Sequence, residues 1–361
     1  MSPDIKQGNR VAWIDCCKGI CIVLVVYGHV SGGLEAAGTV NSGSIFIGFR
    51  EWIYLFHMPA FFFLSGLLAR RACERPFPQF LQGKLKTLAF PYVVWTAIIL
   101  AAQMSMARFT NNAPDLPKAL HFLYEPYGYG MWFLYSLFLI SLGFYALVRL
   151  KTPAIPVVLI GVALYVLSMH NAFRFWPILN TTMTYAIFYL VGGCFPGIAS
   201  APLRNARLPV LWSCGAVMLT VMTLSQLIHI DVSGLLKLVM AVLGVSGAVC
   251  VAMAVVRTAA GGLFTVLGIY SLEIYMAHPL WGTASRALLG LCGVHTPWIF
   301  IACGVSLGVA GSLAMAVLCL RFGFPYLFRW PTKRAGVEPS KQVKDVNGSS
   351  TQPSISFGDV E

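Results

Sequence analysis

Residues 208–230 read LPVLWSCGAVMLTVMTLSQLIHI, a run of 23 residues between Arg207 and Asp231 that contains no Asp, Glu, Lys or Arg. At ~1.5 Å of rise per residue, about 20 apolar residues in an α-helix cross the ~30 Å hydrocarbon core of a bilayer. The run therefore predicts a transmembrane helix.

Similar charge-free runs recur along the chain, and the whole sequence is 58% hydrophobic and only 11% charged over 361 residues. This composition excludes an ordinary soluble domain. We therefore predict an all-α, polytopic membrane protein with about ten transmembrane helices. The predicted spans are 12–33, 50–69, 86–107, 129–149, 153–170, 181–199, 208–229, 234–256, 262–290 and 297–320.

The distribution of cations predicts the orientation, because Lys and Arg accumulate in cytoplasmic loops. With a cytoplasmic amino terminus, 18 of the 25 Lys and Arg residues fall in cytoplasmic segments, and Lys18 and Arg286 fall inside spans. The remaining five fall in outer loops, and they are Arg50, Arg108, Lys118, Arg174 and Lys237. Both termini are thus predicted to be cytoplasmic. The excess of cations in the cytoplasmic segments explains the net charge of +12, and no nucleic-acid partner is expected.

Three segments are predicted. Residues 1–11 form a cytoplasmic amino-terminal segment, residues 12–330 form the membrane domain, and residues 331–361 have the polar composition of a disordered cytoplasmic tail. The first span lacks a small-residue cleavage site, so it is expected to be retained.

The ten cysteines show no CxxC motif and are expected to be reduced thiols.

The first span, WIDCCKGICIVLVVYGHVSGG at residues 13–33, carries Asp15, Lys18 and His29. At ~100° per residue, Lys18 and His29 are only ~20° out of register, and Asp15 lies one turn from Lys18. A charge at mid-bilayer costs ~2.5 to 3.5 kcal/mol, so these side chains are expected to face the bundle interior and to border a common polar chamber. The alternative is that Asp15 and Lys18 are interfacial anchors and that His29 is an interhelical donor.

The second and third spans carry further polar candidates. Pro59 lies two residues after His57 and is expected to kink the helix near His57, and such kinks open cavities. Ser65 follows in the same span, and a kinked packing helix is the alternative. Lys84 and Lys86 begin the third span, where they serve either as positive-inside anchors or as ligands of an anionic cytoplasmic molecule.

The segment SLEIYMAHP at residues 271–279 places Glu273 and His278 within the ninth span. A carboxylate in this position suits proton transfer, and we expect its partner to be Arg286 or a histidine of the first two spans. The seven histidines show no HxxxH spacing, so no metal site is predicted.

These motifs resemble the acyltransferase 3 family of membrane proteins, which includes fucose 4-O-acetylase-like enzymes. Lys18 and His29 match its Lys-x10-His signature, and FHMPAFFFLSGLL resembles its second-helix motif, with Leu67 where Phe is usual. Trp132 in GMWFLYSLF and the Ser-x-Glu-x-Tyr-x-x-His segment ending at His278 also match, so the resemblance covers roughly residues 10 to 325. The sequence departs from the family at Thr87, where the basic pair that precedes Pro91 usually has its second cation.

The resemblance implies a membrane-bound O-acyltransferase that moves an acetyl group from acetyl-CoA to a hydroxyl of a lipid-linked saccharide. The product would be a bacterial exopolysaccharide or other surface glycan, and the location the bacterial cytoplasmic (inner) membrane. Acetyl-CoA is a co-substrate, and no permanently bound cofactor is expected. The implied catalytic residues are His29, as general base, and Glu273, which would orient His29 or His278. The implied donor-binding residues are Lys18, Lys84, Lys86 and Trp132, and the supporting residues are Asp15, His57, Ser65 and His278.

Three alternatives remain open at this point. The donor of an enzyme of the same family could be succinyl-CoA. A proton-coupled transporter would also place Asp, Glu, His and Lys within helices, although the chain shows no internal repeat. A non-catalytic membrane scaffold would tolerate neutral replacements of Lys18, His29 and Glu273 together.

Overall fold

A computed structural model describes residues 11–105, 131–173, 175–199, 206–228 and 232–330. The secondary structure of these residues is helical, without β-strands, which confirms the predicted all-α class. In chain order the α-helices are α1 (Ala12–Ala36), α2 (Ile45–Tyr54), α3 (His57–Leu67), α4 (Arg70–Cys73), α5 (Phe77–Lys84), α6 (Phe90–Ser105), α7 (Trp132–Arg149), α8 (Ala154–Met169), α9 (Pro177–Cys194), α10 (Leu208–Leu227), α11 (Gly234–Val255), α12 (Gly261–Ile269), α13 (Ser271–Leu291) and α14 (Pro297–Arg321).

Among the described residues, six helical segments are long and apolar enough to cross a membrane. They are α1, the continuous segment Phe77–Ser105, α7, α10, α11 and α14. A seventh is formed if α12 and α13, which meet at a bend of 83°, are one broken span. The chain is therefore a multi-pass membrane protein. The predicted count of ten and the cytoplasmic location of both termini stay predictions.

The predicted second span, 50–69, is divided into α2 and α3 by a break at Leu55 and Phe56. Pro59 is the third residue of α3, in the first turn, where a backbone N–H has no partner within the helix. The proline therefore fits the start of a new helix, and the break takes the place of the predicted kink near His57.

A π-helical turn, Leu85–Ala89, joins α5 to α6. Pro91 lies two residues after this turn and has no N–H to donate to the carbonyl of Thr87, four residues earlier. The hydroxyl group of Thr87 donates a hydrogen bond to the carbonyl oxygen of Gly83 at 2.9 Å. π-Turns within helices occur frequently at functional sites, and this one carries Lys86.

Helix α1 lies at the centre of the bundle and packs against α3, α11, α12, α13 and α14. Its crossing with α12 is very close: a Cβ atom at Gly268 would collide with the carbonyl oxygen of Asp15, and one at Gly19 with that of Phe264. Small residues allow such close approach of helix backbones in membranes. The glycines thus fix the position of α1 against α12.

The chain after α14 folds back onto α6. The indole nitrogen of Trp95 donates a hydrogen bond to the carbonyl of Leu327 at 2.7 Å, and the ring of Phe328 packs against Trp95. Trp330 packs edge-on against Phe90. This contact brings Arg329 to the end of the bundle where α1 begins.

Several predictions fall outside the described residues. They concern the segments 1–10 and 331–361 and the outer-loop cations Arg108, Lys118 and Arg174.

Candidate active site

Lys18 lines a cavity of about 170 Å³ at the end of the bundle where α1 begins. Its ammonium nitrogen lies 3.9 Å from a carboxylate oxygen of Asp15, one turn earlier on α1. Ser65 lines the same cavity, so the structure brings together three of the predicted residues. The other described lining residues are Met58, Phe61, Leu88, Phe133, Leu137, Ser271, Leu272 and Tyr275.

Lys84 and Lys86, the other predicted donor-binding lysines, lie in or just before the π-turn, which contributes to this cavity. Leu88 of that turn lines the cavity, while Lys86 lies half-buried in the same turn. Lys84, just before the turn, places its ammonium nitrogen 5.5 Å from the centre of the Phe80 ring. Neither lysine is among the described residues that line the Lys18 cavity, and both lie within four residues of Leu88, which lines it.

His29 lines a second cavity, of about 240 Å³, which is bounded by residues of α1, α6, α13 and α14. Its side chain is exposed to this cavity even though it lies far along a central helix. The ring of His278 packs edge-on against it, with 4.9 Å between the ring centres. Both are predicted site residues, and the structure places their rings in direct contact.

The hydrogen bonds of the neighbouring histidines define their tautomers. The Nδ1 atom of His278 lies 3.1 Å from the carbonyl oxygen of Ile274, and that of His57 lies 2.6 Å from the carbonyl oxygen of Ile53. A carbonyl only accepts hydrogen bonds, so in both rings Nδ1 carries the proton and Nε2 presents a lone pair. Among the described residues, Nε2 of His278 has no hydrogen-bond partner.

His57 lies beside this histidine pair. Its ring centre is 5.0 Å from that of Tyr54, and a Cβ atom at Gly28 would lie 3.1 Å from the Tyr54 hydroxyl oxygen. Tyr54 and His57 therefore reach α1 next to His29. His57 is buried and, in the described part of the chain, lines neither cavity.

The two cavities have no described lining residue in common, so the expected common chamber of Lys18 and His29 is not observed. Tyr275 lines the Lys18 cavity and His278 lines the His29 cavity, and their ring centres are 6.1 Å apart. This ring pair therefore joins the wall of one cavity to the wall of the other. Tyr275 and His278 lie one turn apart on α13, so this helix contributes one ring to each cavity.

Glu273 does not have the partner that the sequence led us to expect. Its carboxylate accepts a hydrogen bond from Arg329 at 3.3 Å, and this is its described partner instead of Arg286, His29 or His278. Glu273 lies in the first turn of α13, at the end of the bundle where α1 begins. The spacing of residues could not reveal this pair, because Arg329 follows the last helix and reaches Glu273 only through the fold-back onto α6.

Trp132 packs among aromatic rings and is not among the described residues that line the Lys18 cavity. Its ring centre is 5.3 Å from that of Tyr185 and 6.4 Å from that of Phe62, so it belongs to an aromatic cluster between α3, α7 and α9. The next residue, Phe133, lines the Lys18 cavity in its place.

Arg286 and Tyr275 are site residues that the sequence reasoning did not select. Arg286 lines the His29 cavity, and Tyr275 lines the Lys18 cavity. The sequence did contain a signal for Arg286. An arginine inside a predicted span has a high free-energy cost and is usually functional. For Tyr275 the signal was weak, because aromatic residues are common throughout this chain.

The arrangement has a clear chemical capacity. One end of α1 presents an ammonium group at a cavity wall, and the other end presents an accessible imidazole in contact with a second imidazole. An ammonium group binds phosphates, and a neutral imidazole accepts a proton near physiological pH. Both groups are needed for acyl transfer from an anionic donor to a hydroxyl.

Comparison with known proteins agrees with this chemistry. The family described as an acyltransferase domain, acyltransferase 3, matches residues 11–317. Nodulation protein NolL of Sinorhizobium fredii (strain NBRC 101917 / NGR234) is 29% identical over 228 residues, which are 60% of this chain and 59% of that protein. Nodulation protein NolL of Mesorhizobium japonicum (strain LMG 29417 / CECT 9101 / MAFF 303099) is 29% identical over 136 residues, which are 36% of this chain and 34% of that protein. No solved structure matches.

The chain thus covers less than two thirds of the length of both curated relatives. The family match, in contrast, covers most of the chain and includes the described lining residues of both cavities. This confirms the resemblance seen in the sequence, and the chain belongs to the acyltransferase 3 family.

Proposed function

We propose that this protein transfers an acetyl group from acetyl-CoA to a hydroxyl of a lipid-linked saccharide of a bacterial exopolysaccharide or surface glycan. One observation carries the proposal. Helix α1 places the ammonium group of Lys18 at one cavity and the accessible imidazole of His29 at the other. The family match supports the reaction class. The bacterial cytoplasmic membrane is the proposed location, because cytoplasmic acetyl-CoA and a lipid-linked acceptor meet there.

The donor is proposed to enter at the Lys18 end of the bundle. Its phosphates would contact Lys18 at the cavity wall, Lys86 in the π-turn and Lys84 just before that turn, since ammonium groups form charge-assisted hydrogen bonds with phosphate oxygens. The extended pantetheine arm would then reach along α1 past Tyr275. The rise from Lys18 to His29 is ~16 Å, a distance that an extended arm of this kind can span.

The chemical step is proposed to occur at His29. The imidazole takes the proton of the acceptor hydroxyl while the hydroxyl oxygen forms a bond to the carbonyl carbon of the thioester. The carbon–sulfur bond then breaks, and the proton passes to the departing thiolate. The products are the acetyl ester and free coenzyme A.

His278 is proposed to assist His29. Its Nε2 lone pair has no partner among the described residues and lies within one ring contact of His29. It can therefore share the proton that His29 takes up. The bond from Nδ1 to the carbonyl of Ile274 holds His278 in the tautomer that this role requires.

Mass spectrometry of the exported glycan tests the proposal. Deletion of the gene is expected to lower the mass of the repeating unit by about 42 Da, the difference between an acetyl ester and a free hydroxyl. A loss of about 100 Da would identify succinyl as the acyl group. An unchanged glycan mass, together with impaired solute movement across membrane vesicles, would contradict the proposal and favour a transporter.

A further inference from the structure

The His29 cavity contains a charged residue that the proposed reaction does not use. Arg286 of α13 lines this cavity together with Gln103, Thr283 and His278. Within the described part of the lining, Arg286 is the one residue that carries a full charge at neutral pH. A fixed positive charge thus lies in the cavity that contains the proposed base.

The position of the guanidinium is set by α1. Its Nη1 atom donates a hydrogen bond to the carbonyl oxygen of Gly33 at 2.8 Å. A Cβ atom at position 33 would lie only 2.9 Å from Nη1, so the absence of a side chain at Gly33 admits the guanidinium to this place. Gly33 follows His29 by four residues, which is ~6 Å of rise and ~40° of rotation on the helix. The cation therefore lies about one helical turn beyond the proposed base, on nearly the same face of α1.

A second arginine near this end of α1 differs in its surroundings. Arg50 forms an ion pair with Glu35 at 2.7 Å and is not among the described residues that line the cavity. Its contacts join α2 to α1 and have a structural role. Arg50 is thus a matched control for Arg286, since both are arginines that contact the last two turns of α1.

We propose that the His29 cavity selects an anionic acceptor, in which a carboxylate or phosphate group lies within about one sugar unit of the hydroxyl to be acylated. The inference rests on the proposed function, because it takes His29 as the partner of that hydroxyl. The planar guanidinium binds carboxylates and phosphates through paired hydrogen bonds, and such bonds are stronger in surroundings of low dielectric constant. A volume of about 240 Å³ is smaller than pockets for drug-sized ligands and suits one sugar ring with its anionic group.

Protection of His29 from chemical modification tests the proposal without requiring turnover. Diethyl pyrocarbonate transfers an ethoxycarbonyl group to a neutral imidazole nitrogen, with loss of ethanol and carbon dioxide, and peptide mass spectrometry measures the extent at His29. The purified protein in nanodiscs would be treated in the presence of glucuronate, glucose 1-phosphate, farnesyl diphosphate or the neutral methyl glucoside. We expect at least one anion to protect His29 at a concentration at which methyl glucoside does not. Which anion protects best distinguishes a sugar carboxylate, a sugar phosphate and the diphosphate of a lipid carrier.

Variants link the protection to Arg286. The Arg286→Gln variant is expected to need at least about ten times more anion for half-protection, as loss of a charge-assisted hydrogen bond predicts. Arg286→Lys should retain part of the protection, and Arg50→Gln should retain all of it. An unchanged rate of His29 modification without ligand would show that each variant is folded at this site.

Two results would overturn the proposal. One is equal protection by anions and by methyl glucoside, or by none of them, in the folded wild-type protein. The other is anion protection that persists in Arg286→Gln. Since these results concern binding, they are independent of the glycan mass measurement. An acetylated glycan without anion protection would refute the anionic acceptor alone, and anion protection without glycan acylation would refute the proposed reaction.

Discussion

At the scale of single residues, the proposed reaction depends most on His29, which is exposed to its cavity and packs against His278. Its distance from Lys18 could be predicted from the sequence, because eleven residues are close to three full helical turns. The contact with His278 could not be predicted in this way, since it depends on how α13 packs against α1. The partner of Glu273 could not be predicted either, because Arg329 lies 56 residues away and beyond the last helix.

The first prediction concerns the base. His29→Ala is expected to lower kcat for acetyl transfer by about 10² to 10⁴-fold, the range that general-base catalysis usually contributes. His295→Ala is the control, because His295 is exposed in the turn between α13 and α14 and lines neither cavity among the described residues. Steady-state kinetics with purified protein would measure both. Full activity of a folded His29→Ala protein would remove the assignment of His29.

A second prediction concerns the donor. Lys18→Gln is expected to raise KM for acetyl-CoA by about tenfold or more, because one charge-assisted hydrogen bond to a phosphate is lost. Lys18→Arg should restore most of the affinity, and Lys237→Gln, which changes an exposed lysine of α11, should have no effect. The same kinetic assay would report both substrates. A change in KM for the acceptor without a change for acetyl-CoA would place the donor elsewhere.

At the scale of helices, the sequence predicted the apolar spans well but not their interruptions. The second span is broken at Leu55 and Phe56, and the ninth is bent by 83° between α12 and α13. Hydrophobic composition reports whether a segment can lie in a membrane, and it is insensitive to a break of one or two apolar residues. Pro59 did indicate a disturbance near His57, and the structure places the break just before it.

The crossing of α1 and α12 leads to a third prediction. Gly268→Ala would place a methyl group against the carbonyl of Asp15, and overpacking of this kind typically costs about 1 to 3 kcal/mol or more. Gly262→Ala is the control in the same helix, since a Cβ atom there meets nothing within 4 Å. Thermal unfolding in detergent should show a lower Tm for Gly268→Ala and an unchanged or higher Tm for Gly262→Ala. Equal Tm values for the two variants would contradict the close crossing.

At the scale of the whole molecule, charge distribution predicts an orientation that the positions of native cysteines can test. Cys292 is exposed and lies in the turn between α13 and α14, which the predicted topology places outside the cell. We expect a membrane-impermeant maleimide to label Cys292 in intact spheroplasts, and Cys292→Ser to abolish that label. Labelling of Cys292 only after permeabilisation would reverse the predicted orientation.

The two cavities lie at opposite ends of α1 and therefore face opposite sides of the membrane in the predicted topology. The Lys18 end lies where the predicted topology places the cytoplasm, and the His29 end lies towards the other face. The sequence could indicate both ends of this stripe, because polar residues are conspicuous among apolar ones. It could not show that Tyr275 lines one cavity and His278 the other, because their placement depends on the rotation of α13 in the bundle.

Transfer of labelled acetyl groups in oriented membrane vesicles tests both donor entry at Lys18 and the role of His29. With radiolabelled acetyl-CoA in the medium, inside-out vesicles present the predicted cytoplasmic face to the donor, and right-side-out vesicles do not. We predict that label enters the lipid-linked glycan only in inside-out vesicles, and that His29→Ala abolishes it there. Equal labelling in both orientations, or labelling that persists in the His29→Ala protein, would contradict donor entry at Lys18 and chemistry at His29.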